Sequence, residues 1–444
     1  MHYIRLMRPP SLDDQRNLKL VITITTDLGD SFLCPDEPVP ISVWLTGGSS
    51  TSTDDGQTQT CCLSLRRAGK SGVYWKQGMR IIKLELPVPD KVFKSMQKPS
   101  PASSLTPTIC IVASHNLEDS PRAADIPFDA DGRIMAVQSD FPWPPEKDGE
   151  RTFESMRRLA LAGGGFLSVD ERIGESIDRH VWDAGVVTTG VLVNMCQGAG
   201  AQASKHTWNK TPLLKDLLCS VTPGRPLNAI ELGCGVGVLG IGLAAALYRR
   251  MSGSGAGDSS TQSPSRILLT DLADAEEVAL ANIAGEKKAR NAVPTAPTWE
   301  PSVDTDFECL DWEEGKVGAF GPRARASSWD LVIISDCTYN VDMLAALVAT
   351  ISELHKLSME RASKSTRVML ATKPRHSSEK ALFGLMDEHG WKVLESASQP
   401  LPVLGLEDQS VEIYLFGKDV EQTSSGAGAS STSASSAPKR RKLR

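Results

Sequence analysis

Hydrophobic and polar positions change rhythm once along this chain. Before about residue 140 the apolar residues come in short β-type runs, at 18–24 (LKLVITI), 40–45 (PISVWL), 59–65 (QTCCLSL) and 80–86 (RIIKLEL). Gly/Ser/Thr/Asp stretches separate them, as at 47–57, and 98–104 (KPSPASS) has the composition of a loop or linker. These runs predict a small strand-rich, sandwich-like domain over residues 1–140.

From residue 226 strand and helix alternate. Strands are expected at 226–232, 266–270, 307–310, 329–335, 366–371, 391–397 and 410–416, and helices at 238–250, 275–289, 342–356 and 377–389. The run WDLVIIS at 329–335 is almost wholly apolar, as a strand covered on both faces of a parallel sheet must be. Only a loop separates the last two strands, which suits an antiparallel hairpin at the end of the sheet. Residues 150–418 are therefore expected to form an α/β domain on a Rossmann-like seven-strand sheet.

Composition narrows the class. A chain of 444 residues suggests two domains, and 40% apolar content is enough for a real core. A net charge of −6 argues against coating nucleic acid through a broad basic field. The nine cysteines include no C-x-x-C pair, so reduced thiols are expected, not a zinc site or a disulfide framework. No apolar run reaches the roughly 18 residues of a membrane span, and the N-terminus lacks a signal-peptide core. A soluble cytoplasmic and/or nuclear protein is the expectation. Residues 251–264 (MSGSGAGDSSTQSP) and 422–438 are low-complexity segments expected to be disordered, the second within a tail at 419–444. The tail ends in KRRKLR, which reads equally as a nuclear-import signal or a solvated charge run.

Candidate chemistry begins at Glu231-Leu232-Gly233-Cys234-Gly235-Val236-Gly237, after a strand and before a helix. Glycines let the backbone approach a ligand, and a helix start offers free N–H groups. The overlapping G-x-G-x-x-G from Gly235 to Gly240 would equally serve a dinucleotide. Three features favour S-adenosylmethionine. Glu231 offers a carboxylate to the cationic amino-acid end of that molecule and would repel a pyrophosphate. Asp271 ends the next strand, where it could accept both ribose hydroxyls. It lies 34 residues past Gly237, and removing the 14-residue insertion at 251–264 leaves the usual separation of about 20, a spacing that suits an adenosine ligand and would also suit a dinucleotide. Asp336-Cys337-Thr338-Tyr339 ends the long apolar strand, at the edge where open α/β sheets bind ligands.

Taken with Val181-Trp182-Asp183-Ala184-Gly185, Asn282 and Leu310-Asp311-Trp312, these residues resemble the seven-strand methyltransferases of the methyltransferase-16 family, which includes many protein-lysine methyltransferases. The resemblance covers about 174–418. It implies S-adenosylmethionine as cofactor, with Trp182, Asp311 and Trp312 at its amino-acid and adenosine ends beside Glu231, Gly233, Gly235, Gly237, Asp271 and Asp336. It implies Asp336 and Tyr339 as the residues bordering the target amine, and a protein lysine as substrate. Gly185 stands where the family often has Ala. The first 140 residues have no counterpart in smaller members, and are expected to serve target choice and not chemistry. D-C-T-Y is also similar to the D-P-P-Y type motifs of enzymes that methylate exocyclic amines of bases, without their prolines.

Methyl transfer is an in-line displacement, so the protein must align nucleophile, methyl and sulfur and keep the amine neutral. A lysine with a reference pKa near 10.4 must first lose a proton. Asp336 and Tyr339 could orient that amine, and Asp336 could take the proton through water. Blander roles stand beside these: Trp182 as a core aromatic, Asp311 as a helix cap, Tyr339 as a strand end. Lys373-Pro374-Arg375-His376, after another strand at the same edge, reads as a loop, with a substrate contact as the alternative. Other readings of the chain are a methyltransferase of a small-molecule or nucleic-acid amine, a nicotinamide-dependent oxidoreductase, and a non-catalytic binding protein.

Overall fold

A computed structural model describes residues 1–46, 51–52, 58–59, 62–65, 72–97, 107–113, 134–142, 154–161, 166–172, 179–197, 211–222, 224–252, 263–291, 303–401, 403–404 and 409–418. The expected disordered tail, the linker at 98–104 and most of the 251–264 insertion lie outside the described residues.

The N-terminal half is built from two sheets. Across the first run Ile134–Met135, His2–Leu6, Asn17–Thr26 and Ser11–Leu12, with Ile82–Pro87 also paired to Asn17–Thr26. Across the second run Phe166–Arg172, Glu154–Ala160, Val137–Asp140, Thr108–Ala113, Val39–Thr46 and Cys62–Leu65, with Val73–Trp75 on Val39–Thr46. Alternate residues of each turn inward. Ile4, Leu20, Ile22 and Ile24 from the first sheet share one core with Val43, Ile109 and Ile111 from the second. The strands at 154–172 belong to this second sheet, so the division placed near residue 150 falls inside it. Phe166–Arg172 also fastens the sandwich to the rest of the chain. Asn282 accepts from the Asp170 N–H at 2.7 Å and donates to the Asp170 carbonyl at 3.0 Å. Arg172 pairs with Glu277 on the same helix.

The C-terminal half is one seven-strand sheet: Asn228–Leu232, Ser265–Asp271, Val303–Cys309, Leu331–Ser335, Arg367–Thr372, Lys392–Leu401 and Gln409–Gly417. Across the sheet the order is third, second, first, fourth, fifth, seventh, sixth. The seventh inserts between fifth and sixth and is antiparallel to both. Chain reversal at the first strand, between second and fourth, opens a crevice at the carboxyl edge. Both faces are covered. Leu331 and Ile333 turn toward the helices Asp183–Gln197 and Val238–Ser252, while Val332 and Ile334 turn toward Leu344–Ala362 and Ala381–Glu388. That is why WDLVIIS shows no alternation.

Asp183–Gln197 is a helix that the sequence pattern does not announce. It is buried on nearly every side, so its apolar residues have no period to betray it. Among the described residues no helix is long and apolar enough to cross a membrane.

Candidate active site

The loop after the first sheet strand passes through three left-handed glycines, Gly233, Gly235 and Gly237. Two show why nothing larger fits. A Cβ on Gly233 would lie 2.6 Å from Cys337 Sγ, and one on Gly237 would lie 2.5 Å from Leu269 Cδ2. Gly233 lets the loop close against the end of the fourth strand. Gly237 seats the helix Val238–Ser252 on the second. Asp271, at the tip of that second strand, ties the loop down: one oxygen accepts from Gly235 N–H and the other from Leu272 N–H, both at 2.7 Å. Glu231 is buried inside the turn and accepts from Gly240 N–H at 2.9 Å. Burial pushes its pKa up to about 8, against the pull of that N–H.

These elements frame a cavity of about 530 Å³. Nine of the ten residues expected at the site lie on its wall: Trp182, Glu231, Gly233, Gly235, Asp271, Asp311, Trp312, Asp336 and Tyr339. The tenth, Gly237, is absent from the wall and makes the helix–strand contact just described. Asp311 is also a helix cap, accepting from Glu313 N–H at 2.9 Å, so its bland and functional placements coincide. Tyr339 stands at the rim, 61% exposed.

Asp336 is not the open carboxylate its sequence position suggests. Its φ is +50°, a left-handed conformation that a non-glycine residue adopts at some cost. One oxygen accepts from Lys373 N–H at 3.1 Å and from Arg375 Nη1 at 2.8 Å, and the other accepts from Ala184 N–H at 2.9 Å. The side chain is 2% exposed. Burial raises its pKa, opposed by Arg375 and the two backbone donors. It is a clamped group that caps the helix Asp183–Gln197, better suited to holding geometry than to shuttling a proton.

The far side of the site carries Lys373 and Arg375, which the sequence offers as a loop or a substrate contact, together with Asp27 and Leu28, which it does not single out. Arg375 lies over the Trp182 ring, 5.3 Å from its centroid, and reaches Asp27 of the N-terminal sandwich at 2.6 Å. Lys373 bridges Asp27 at 3.1 Å and Asp183 at 2.8 Å. Asp183 also accepts from the Tyr3 hydroxyl at 2.6 Å and from the Met1 ammonium. Leu28, next to Asp27, lies on the cavity wall. The first domain, expected to serve target choice and not chemistry, thus places Leu28 on the cavity wall and Asp27 behind it, against Arg375. Nothing in TTDLGD marks that segment as more than a hairpin turn. Among the described residues no group of three or more His, Cys, Asp or Glu is placed to hold a metal ion.

A family model described as lysine methyltransferase, methyltransferase-16, matches residues 164–389. A Schizosaccharomyces pombe protein of the UPF0665 family is 27% identical over 213 residues, 48% of this chain and 47% of its own length. The chain thus spans about half the length of the curated relative it matches. Among solved structures, a SAM-dependent methyltransferase from Methanosarcina mazei is 11% identical, covering 44% of this chain and 94% of its own, with a TM-score of 0.28. Pyrococcus horikoshii TYW2 in complex with MeSAdo is 10% identical, covering 61% and 73%, with a TM-score of 0.31. A S-adenosylmethionine-dependent methyltransferase from Clostridium acetobutylicum is 9% identical, covering 43% and 83%, with a TM-score of 0.27.

Proposed function

This chain belongs to the methyltransferase-16 family of lysine methyltransferases, and from that premise we propose that it transfers a methyl group from S-adenosylmethionine to the side-chain amine of a protein lysine. The observation that carries the reading is the cavity itself. Glu231, Asp271, Asp311, Glu313 and Asp336 line it against one arginine, Arg375. Glu231 keeps its proton to about pH 8 and Asp336 is paired with Arg375, so Asp271, Asp311 and Glu313 are the carboxyl groups that suit a cationic cofactor and a cationic side chain and disfavour the pyrophosphate of a nicotinamide dinucleotide.

The donor set fits the cofactor. Asp271 and Asp311 would hold the ribose and adenosine end, and the glycine loop would admit the chain that follows. Glu231 and Trp182 would face the amino-acid end. Bound there, the cofactor supplies a methyl group made electrophilic by its sulfonium. The protein then contributes alignment and exclusion of water. Asp336 fixes the start of the helix that follows Trp182, and the exposed ring of Tyr339 guides an alkyl chain toward the cavity. The amine's proton leaves through water at the rim and not to the saturated Asp336 carboxylate.

The test is transfer of tritiated methyl from S-adenosylmethionine into a cell extract, with mass spectrometry of the labelled species. Label on lysine side chains is the expected result. Label confined to nucleic acid or small molecules would move the substrate class. Binding of NAD without S-adenosylhomocysteine would overturn the cofactor.

A further inference from the structure

A chain of ionic contacts runs from the N-terminal sandwich to the cavity. Asp27 follows the strand Asn17–Thr26 and sits in a tight turn. Gly29 N–H donates to the Thr26 carbonyl at 3.1 Å, and the Thr26 hydroxyl contacts Asp30 at 2.6 Å. Arg5 grips the Asp27 carbonyl at 2.8 Å. The Asp27 side chain has no exposed surface, and its two oxygens divide between Lys373 and Arg375. Arg375 in turn divides its two terminal nitrogens between Asp27 and Asp336. Burial alone would raise the Asp27 pKa, but Arg375 and Lys373 bring it below the usual carboxylate range, so it is ionised.

Arg375 is the only lysine or arginine among the described residues on the cavity wall. A lone guanidinium there would oppose a sulfonium. Two carboxylates neutralise it, and one of them comes from the other half of the chain. We propose that the 26–31 turn of the N-terminal sandwich is a working wall of the methyl-transfer site, with Asp27 a positioning residue that holds Arg375 and so sets the charge felt by a sulfonium in the cavity. This rests on the reading of the cavity as the S-adenosylmethionine site. The sandwich then does more than select a target, because its turn tunes the preference for charged cofactor over neutral product.

S-adenosylmethionine and S-adenosylhomocysteine differ by one methyl and one positive charge, so the ratio of their dissociation constants reads the potential at the sulfur. Both are measured by calorimetry on the full chain at one pH and ionic strength. Asp27→Asn removes a negative charge and leaves Arg375 less neutralised. The ratio of the S-adenosylmethionine constant to the S-adenosylhomocysteine constant should rise by about 3- to 10-fold, the size expected for one partly screened unit charge behind the cavity wall. Arg375→Gln should shift the same ratio downward by a similar factor, and the double variant should return to within about 2-fold of the starting value. Opposite signs cannot come from loosened packing. If Asp27→Asn does not fold, Arg375→Gln alone decides. An unchanged ratio in the folded variants, even with both constants weaker, would overturn the proposal and leave Asp27 a structural tie. Failure of the unaltered protein to bind either molecule would instead overturn the methyltransferase reading.

Discussion

The two walls of the cavity are built in opposite ways. The glycine-loop wall is local: Glu231, Gly233, Gly235 and Asp271 come from one β–α–β unit and are fixed by backbone N–H groups. The opposite wall is assembled from far apart. Asp27 and Arg375 are 348 positions apart, and Asp183 and Lys373 are 190. A local wall can be read from spacing, because ligand and helix geometry dictate where glycine and carboxylate must fall. A wall of distant ion pairs leaves no spacing to read.

The most damaging change should therefore be on the assembled wall. Asp183 is fully buried and accepts from Lys373, Tyr3 and the chain's amino group. Asp183→Ala strands buried cations, which costs about 3–5 kcal/mol. Urea unfolding should show that loss. A change below about 1 kcal/mol would mean that the cations find water or other partners, and that the assembled wall is no more than decoration on the local one.

The local wall should show the reverse, a gain in stability at the expense of function. Glu231 keeps its proton in the folded protein to about pH 8, whereas an unfolded glutamate releases it near 4.5. Its stabilising proton is fully present below about pH 4.5, and the contribution is lost as the pH rises toward 8. Glu231→Gln removes this slope and keeps an acceptor for Gly240 N–H. At pH 8 the variant should exceed the unaltered protein by roughly 3–4 kcal/mol. Equal stability of the two proteins from pH 5 to pH 8 would show that the carboxyl is already ionised. S-adenosylmethionine binding should weaken in the same variant above about pH 8, where Glu231 carries the charge proposed to face the cationic end and Gln cannot.

Legibility followed the same division. The seven strands, the hairpin at 391–416 and the D-C-T-Y corner all rest on local pattern, and so do the nine expected residues that line the cavity together. Gly237 was read as ligand-facing because the motif does not distinguish a glycine needed for approach from one needed for packing. The helix Asp183–Gln197 escaped because burial on all sides erases period. Strands Glu154–Ala160 and Phe166–Arg172 escaped because Ser155, Arg157 and Arg158 break the first run and Ser168, Asp170 and Glu171 break the second. Arg157 is wholly buried only because Glu171 pairs with it on the neighbouring strand. Such a pair has meaning only after folding.

A smaller effect should separate cofactor affinity from fold. Asp271 is half-buried, and its two oxygens already hold the loop. Asp271→Ala would remove the Gly235 tether and the proposed ribose acceptor, at about 2–3 kcal/mol of cofactor binding. The S-adenosylhomocysteine dissociation constant should rise on the order of 10²-fold while thermal stability falls little. A constant that stays put would assign the ribose to another carboxylate, with Asp274 the next candidate.

The smallest effect lies where the two walls touch. Gly185 sits in the first turn of Asp183–Gln197, and a Cβ there would come within 2.8 Å of Val238 Cγ1 and 3.4 Å of Ser335 Oγ. Val238 opens the helix after the glycine loop and is 6% exposed, so it has little room to retreat. Gly185→Ala would gain roughly 0.5–1 kcal/mol of helix preference. Against that stands an overpacking cost of about 1–3 kcal/mol. The net expectation is a loss of about 0.5–1 kcal/mol in urea unfolding, with S-adenosylhomocysteine affinity changed by less than about 3-fold. If Gly185→Ala is instead stabilising, Val238 can yield, and the walls are less tightly keyed than the geometry indicates. If affinity falls by more than about 10-fold with stability intact, the contact transmits position from the assembled wall to the local one. The glycine would then be a requirement of the site and not a minor departure from the family's alanine.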